Sequence, residues 1–597
     1  MMKLPEQQRI TAAIESIGCL HPVDSAALAA IFQRYAGLPF KLDGLNEMTT
    51  GRLSGADLRA AIPLLIQQGF LFSVKKIWGE RLFYIPFDLL SSLQERYTVY
   101  PIELSNKVDI DLYKESKRGL AYDLFRILAW IEFNGLPVTV KGTPYQKALN
   151  KMEGQIHLTA EDIVGLSLYY TDQDVYSPHI AVVFDMLMKF DLIDKEQREW
   201  RLNTVNLRSW LELDIQEMNS AIFRQLLLRY VPSDAVLQHF VFRTASSDLS
   251  CGVWYGLQDV LTSLRRQGIL KECISKEQDL WMRSWLTALC GFGWLELGYG
   301  QEEQLYLRWL VKPRFTKEME FPKQQLIDAE ALSVDMSEIN ISIAMNRHPR
   351  SGRCHIQPDF EILVPPDVSF EVRWVLEAFS DNITMDTMSV YQINRSSVTL
   401  AARQGLSSKE ILAVLHEQSS GVPNNVRLAI EQWSREIEQI IIPEKQRSWS
   451  KDHKTVDTTF VGVISGVTGL PVEQGWIFSG RDYKSYERDD VIPTTTELFP
   501  GLEDIPVIWF KEMRDYHVST ARKIIAQALT WHTKIELQIQ GETVEYLPLT
   551  LIGEESWKMK GVMFTMKDSI GVEHVLAPGE WEALRLIIPD IKRKMLQ

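Results

Sequence analysis

Residues 54–85 read SGADLRAAIPLLIQQGFLFSVKKIWGERLFYI, and the same order of signals recurs twice more along the 597 residues. Ser54 and Asp57 have the spacing of a capping box, in which each side chain satisfies a backbone N–H left unpaired by the first helical turn. Leu58, Ile62, Leu65 and Ile66 follow at helical spacing, and Gly69 supplies a left-handed stop at no steric cost. Pro63 lies inside this helix and is expected to kink it. Phe70 to Lys76 and Arg81 to Ile85 then read as two strands about a turn at Trp78-Gly79-Glu80. The unit is a capped helix, a tight stop and an aromatic hairpin.

The second copy opens at Ser177-Pro178, an N-cap followed by proline at the first helical position. Its helix runs to Phe190, and its hairpin joins Leu192-Ile193-Asp194 to Trp200-Arg201-Leu202 through Lys195-Glu196-Gln197. The third begins with the capping box Ser275/Gln278 and continues through Leu280, Trp281, Trp285, Leu286 and Leu289 to a stop at Gly291. Its strands, Trp294 to Leu297 and Gln304 to Leu307, flank a turn at Gly298-Tyr299-Gly300. This order resembles the winged helix, in which the penultimate helix enters the DNA major groove and the hairpin touches backbone. The first copy has the most suitable cations: Arg52 and Arg59 on the helix side, Lys75, Lys76 and Arg81 on the hairpin. Residues 1–100 carry 10 basic and 9 acidic residues, against an overall net charge of −14. These cations equally suit the solvated face of a protein-binding scaffold, and both readings stay open. The second and third copies have acidic or neutral turns and are expected to be scaffolds, because binding phosphate needs cations.

The composition is that of a soluble multidomain protein, 45% hydrophobic and 24% charged. An acidic balance excludes a uniformly basic nucleic-acid coat. Cys19, Cys251, Cys273, Cys290 and Cys354 lie far apart, with no zinc-type spacing and an odd count that speaks against a disulfide framework. The N-terminus lacks a signal-peptide apolar core, and no charge-free run is longer than Thr458 to Val472, which is too short to span a bilayer. A cytoplasmic protein with no membrane partner is expected. No Gly-Lys dipeptide exists, so GxxxxGK[ST] cannot occur. Gly291, Gly293, Gly298 and Gly300 miss the GxGxxG spacing, and HExxH, GxSxG and EF-hand loops are absent. Asp515, His517 and Ser519 share one face of an extended strand, but a hydrolytic triad needs angles that one strand does not provide. Ser519 reads instead as the N-cap of a helix over 520–529. No catalytic residue, metal or cofactor is assigned.

From Cys354 the chain reads HIQPDFEILVPP, then a helix over 371–380 and a strand at Tyr391-Gln392-Ile393. Arg403, Gly405, the capping box Ser407/Glu410 and Val422-Pro423-Asn424-Asn425-Val426 follow. Over residues 354–437 this resembles the N-terminal domain of XPB-type DNA helicases, found also in bacterial helicase-associated proteins. The resemblance implies a coupling element that docks partner proteins, with Asp359, Glu361, Tyr391, Arg403 and Asn425 as candidate docking residues. Six basic against twelve acidic residues over 354–440 disfavour DNA contact by this module. Phe360, Ile362 and Val364 alternate as a strand that Pro365-Pro366 ends.

From about Asp457 the chain is expected to be β-rich. A helix after Ser519, the strands Lys534 to Gln540 and Thr543 to Pro548 about Gly541, a third from Trp557 to Phe564 and a closing helix at Trp581 are similar to a WYL-type barrel. Trp557-Lys558-Met559 replaces that family's namesake triplet, so a plain SH3-like barrel is favoured, with Lys534 and Arg522 as candidate pocket cations.

The expected architecture is α+β and multidomain. Winged-helix-like units span 1–100, 101–205 and 206–316, an XPB-N-terminal-like α/β module 317–445, and a β-rich, SH3-like barrel 446–597. The expected function is a non-enzymatic, helicase-associated adaptor that docks an XPB-type helicase or another repair or transcription factor and contacts DNA weakly, if at all. The alternative is a DNA-binding transcriptional regulator with a ligand-sensing barrel. A metal-dependent nuclease on Asp359 and Glu361 is a third reading, which requires both carboxylates on one strand face.

Overall fold

The helix that opens the first repeat is capped as the residues predict. In the computed structural model, which describes residues 5–315, 352–438 and 486–589 apart from 47, 49–51, 77–78, 98–99, 103–108, 169, 171, 197, 272, 385–387, 404, 490, 555 and 565–570, Ser54 Oγ accepts from the Asp57 amide at 3.3 Å. Asp57 Oδ2 accepts from the Ser54 amide at 2.8 Å. The helix spans Gly55–Gln67 and continues through Pro63. Gly69 adopts φ +83°, where a Cβ would lie 2.7 Å from the Arg9 carbonyl oxygen. The hairpin follows as β1 (Phe72–Lys76) and β2 (Arg81–Tyr84). Upstream, the Pro22–Tyr35 helix leads to Phe40, which bridges Phe83 of the hairpin.

The other two repeats have the same connectivity. After β3 (Asp111–Lys114), the second runs from the Leu120–Asn134 helix to β4 (Leu136–Pro137), the Gln146–Glu153 and Pro178–Lys189 helices, β5 (Ile193–Glu196) and β6 (Glu199–Leu202). The third runs from the Ala235–Thr244 helix to β7 (Trp254–Gly256), the Leu257–Arg266 and Lys276–Gly291 helices, β8 (Leu295–Tyr299) and β9 (Leu305–Trp309). In each, a short upstream strand pairs with the second strand of the hairpin: Leu136 with Trp200, and Trp254 with Arg308. Local details depart from expectation. Ser177 holds the N-cap position, but its hydroxyl donates to Glu153 rather than serving the helix. Gly291 is the last helical residue, and the left-handed stop is Gly293 at φ +86°. A Cβ there would sit 2.4 Å from Gly119 Cα, so the close backbone approach selects glycine at this position.

One apolar core runs from Ile10 through all three repeats to Trp309. Polar ties cross the joins. His239 Nε2 lies 3.0 and 3.1 Å from the carbonyls of Phe32 and Gln33. Arg229 forks onto Asp185 with two bonds of 2.7 Å, and Tyr230 donates to the same carboxylate at 2.8 Å. Such bidentate pairing is what lets charges remain buried.

The next sheet has the order β10 (His355–Ile356), β11 (Glu361–Val364), β13 (Ser389–Gln392), β12 (Asp381–Thr384). Helices Phe370–Glu377, Arg395–Arg403, Ser408–Gln418 and Asn424–Glu438 accompany it, over a core that includes Ile362, Val364, Tyr391 and Ile430. Phe370 and Trp374 face outward from this module and belong instead to the core of the repeats. Trp374 meets Phe125 edge-on at 5.9 Å.

β14 (Tyr486–Arg488) joins β1, as β3 joins β8, so two hairpins gain an outer strand from elsewhere in the chain. The C-terminal sheet follows the Val518–Trp531 helix and has the order β18 (Val572–Leu576), β17 (Lys558–Phe564), β16 (Glu542–Ile552), β15 (Ile535–Ile539), β19 (Ala583–Leu586). Its end strands do not pair with each other among the described residues. Trp581 stands in a turn before β19, not in a closing helix, and packs on Trp557. Residues 457–485, expected to begin the β-rich region, lie outside the described residues. The whole is α+β with five small sheets among the described residues, and no helix there is long and apolar enough to cross a membrane.

Candidate functional site

The five cations assigned to the first hairpin unit have different surroundings. Lys75 is exposed on β1, directly opposite Arg81 on β2. Lys76 pairs with Glu80 at 2.6 Å. Lys41 joins the same carboxylate, and these hydrogen bonds hold Glu80 below its ordinary pKa. Arg52 is exposed, and its carbonyl accepts from Lys534 Nζ at 3.1 Å. Arg59 is only 5% exposed. Its guanidinium donates to the Trp531 carbonyl and lies 5.4 Å from the centre of the Phe499 ring. Burial lowers its pKa, with Asp43 acting in the opposite direction. The face of the Gly55–Gln67 helix that carries Arg59 is thus turned into the C-terminal unit, and Ala56 and Ala60 belong to that unit's core. This is a correction to the expected groove-facing placement of Arg59: apolar packing through two alanines has claimed that face.

Acidic residues meet the hairpin from far along the chain. Arg81 Nε pairs with Asp489, and Arg81 Nη1 lies 3.5 Å from Glu497. Glu487 on β14 stands opposite Lys75. Sequence reading missed these acids, since no local signal links residues about 400 apart.

In the 354–438 module the candidates separate into surface and core. Asp359 is exposed but precedes β11 in a turn, where its Oδ1 accepts from the Glu361 amide at 3.3 Å. It therefore does not share a strand with Glu361, as the nuclease reading required. The turn owes its shape to Phe360 at φ +72°, whose ring packs 5.6 Å from Trp433. Asn425 is exposed and donates to the Pro358 carbonyl at 2.6 Å, tying the last helix to this turn. Arg403 is exposed at the end of its helix. Tyr391 is fully buried, and burial raises its hydroxyl pKa well above the ordinary value, so it is a core residue and not a surface contact. Two residues beyond the expected set join the module to the second repeat. Glu377 accepts from Arg126 Nη1 at 3.1 Å, while burial raises the Glu377 pKa and Arg126 lowers it.

The remaining candidates are structural. Lys534 pairs with Glu545 at 2.8 Å, and Arg522 donates to the Glu554 carbonyl at 3.0 Å. His517, not Ser519, caps the Val518–Trp531 helix; its Nδ1 lies 2.8 Å from Ser519 Oγ. Among the described residues no group of three or more His, Cys, Asp or Glu side chains is arranged to hold a metal ion.

A family model described as a helicase conserved C-terminal domain matches residues 354–453. No curated protein matches the chain. The match covers the four-stranded module and its helices and gives the chain a helicase-related segment.

Proposed function

We propose that this chain is a non-catalytic, helicase-associated adaptor. Its three repeats act as winged-helix units fused into one arm, and the XPB-N-terminal-like module carried on that arm docks an XPB-type helicase or another repair or transcription protein. The observation that carries this reading is the helicase-family match in a chain without a Gly-Lys dipeptide, and so without a phosphate-cradling loop of the P-loop type. The antiparallel β10–β13 sheet also differs from the parallel strands on which dinucleotide sites of α/β folds are built. The shared order of an upstream helix, a short strand or bridge that pairs with the second hairpin strand, and a helix running directly into the hairpin supports the winged-helix assignment.

The docking surface is then drawn from the exposed residues of the module, Arg403, Asp359, Asn425 and Leu428. Leu428 is 55% exposed on a helix whose other face fills the core. Co-elution with a purified XPB-type helicase on size exclusion tests the proposal. Leu428→Glu with Arg403→Glu should abolish co-elution while leaving the circular dichroism unchanged. ATP hydrolysis by the chain alone, or helicase binding indifferent to these changes, would refute it.

A further inference from the structure

The first hairpin places two cations side by side and meets them with acids from elsewhere in the chain. Lys75 and Arg81 are directly opposite across β1 and β2, an arrangement that is unfavourable without an anion between or beside them. The outer strand brings Glu487 to the same row, giving the order Glu487, Lys75, Arg81 across three strands. Arg81 is further held by Asp489, which is 8% exposed, and faces Glu497 at 3.5 Å. The Asp489 amide donates to the Ser73 carbonyl at 3.1 Å, so backbone pairing continues past β14.

We propose that this hairpin is a phosphate-binding surface closed in cis by Glu487, Asp489 and Glu497, and that it takes the backbone of a nucleic acid when the 486–489 segment lifts. Carboxylates and phosphates present the same kind of oxygen to an arginine fork, so one can stand in for the other. The contacts that would have to open are a three-residue strand, the Ser73 hydroxyl and amide–carbonyl bonds to Asp489, the exposed pair with Glu497 and the pair with the buried Asp489 carboxylate, for which a phosphate supplies Arg81 with a replacement anion. The Arg59 helix face stays packed on Trp531 throughout; only the hairpin is uncovered. The inference rests on the winged-helix reading of the first repeat, and it does not involve the helicase-docking surface.

The test is fluorescence anisotropy of labelled duplex, forked and single-stranded DNA with the full chain at about 50 and 200 mM salt, a range over which phosphate contacts weaken steeply. The triple variant Glu487→Gln/Asp489→Asn/Glu497→Gln should bind about tenfold more tightly at the lower salt, by the same counterion argument. A control that neutralises Glu277, Glu302 and Glu303, exposed acids of the third repeat, should leave binding within about twofold. Adding Lys75→Gln and Arg81→Gln to the open variant should remove the gain. A Val74→Cys/Arg488→Cys pair, at facing positions, should fix the strand in place on oxidation and reduce binding below wild type. The proposal falls if the open variant binds no better than the control, if the gain survives loss of Lys75 and Arg81, or if the oxidised pair binds like wild type. Helicase co-elution, measured separately on the same variants, reports whether the adaptor reading stands.

Discussion

Arg59 shows how one buried guanidinium separates a structural role from a nucleic-acid role. Its partners are the Trp531 carbonyl and the Phe499 ring, so Arg59→Ala should lower unfolding stability by about 1–3 kcal/mol by leaving a buried acceptor unpaired. Urea unfolding checks this, and an unchanged midpoint would mean that the contact contributes nothing. His239 makes a second residue-level prediction. Burial lowers its pKa from 6.5 to about 4, against the opposing pull of the Gln33 and Phe32 carbonyls. A depressed histidine pKa means that the unfolded chain takes up the proton first. The stability it contributes is therefore complete above about pH 6.5 and declines as pH falls towards about 4. His239→Gln should flatten this part of the melting-temperature profile; a profile with the wild-type slope would assign the acid sensitivity to other groups.

At the scale of elements, glycine positions test which turns are constrained by neighbours and which by backbone conformation alone. Gly293 and Gly268 both have positive φ, +86° and +74°, but a Cβ at Gly293 would strike Gly119 whereas Gly268 faces open space. Gly268→Ala should cost about 1–2 kcal/mol from the left-handed conformation alone. Gly293→Ala should cost more, because the two repeats must also move apart. Equal losses in urea unfolding would show that the join between them is soft. The same contrast explains what the sequence could convey. The capping boxes at Ser54, Ser275 and Ser407 were legible because both partners lie within one turn. His517 displaced Ser519 as a cap by one turn geometry that spacing does not encode, and the approach of Gly119 that selects Gly293 comes from a distant segment. The strands β3 and β14 add to hairpins more than 180 and 400 residues away, so no local periodicity announces them. For the candidate site, the cations of the hairpin and the local turn residue Glu80 were legible, and the distant acids Glu487, Asp489 and Glu497 were not.

At the scale of the whole molecule, the decisive join lies between the helicase-related module and the second repeat. Phe370 packs 5.5 Å from both Tyr122 and Phe125, Trp374 meets Phe125 edge-on, and Arg126 Nη1 donates to both Glu377 carboxylate oxygens. These residues project from one helix of the module, while the module's own core is built from Ile362, Val364, Tyr391, Ile411 and Ile430. Removing the join should therefore detach the module without unfolding it. Trp374→Ala deletes a nearly buried indole and should cost about 3–5 kcal/mol of docking stability. Glu377→Gln keeps the shape but leaves Arg126 without its counter-charge, which is costly where the site is dry. In the wild type the two bodies should unfold together; in Trp374→Ala, differential scanning calorimetry should resolve a separate, lower transition for the module. On the proposed docking role, the same variant should still co-elute with an XPB-type helicase, because Leu428 and Arg403 remain folded and exposed. Loss of both folding and helicase binding would mean that the module depends on the arm for its stability, and the chain would then act as one rigid body rather than as a docking domain carried on a scaffold.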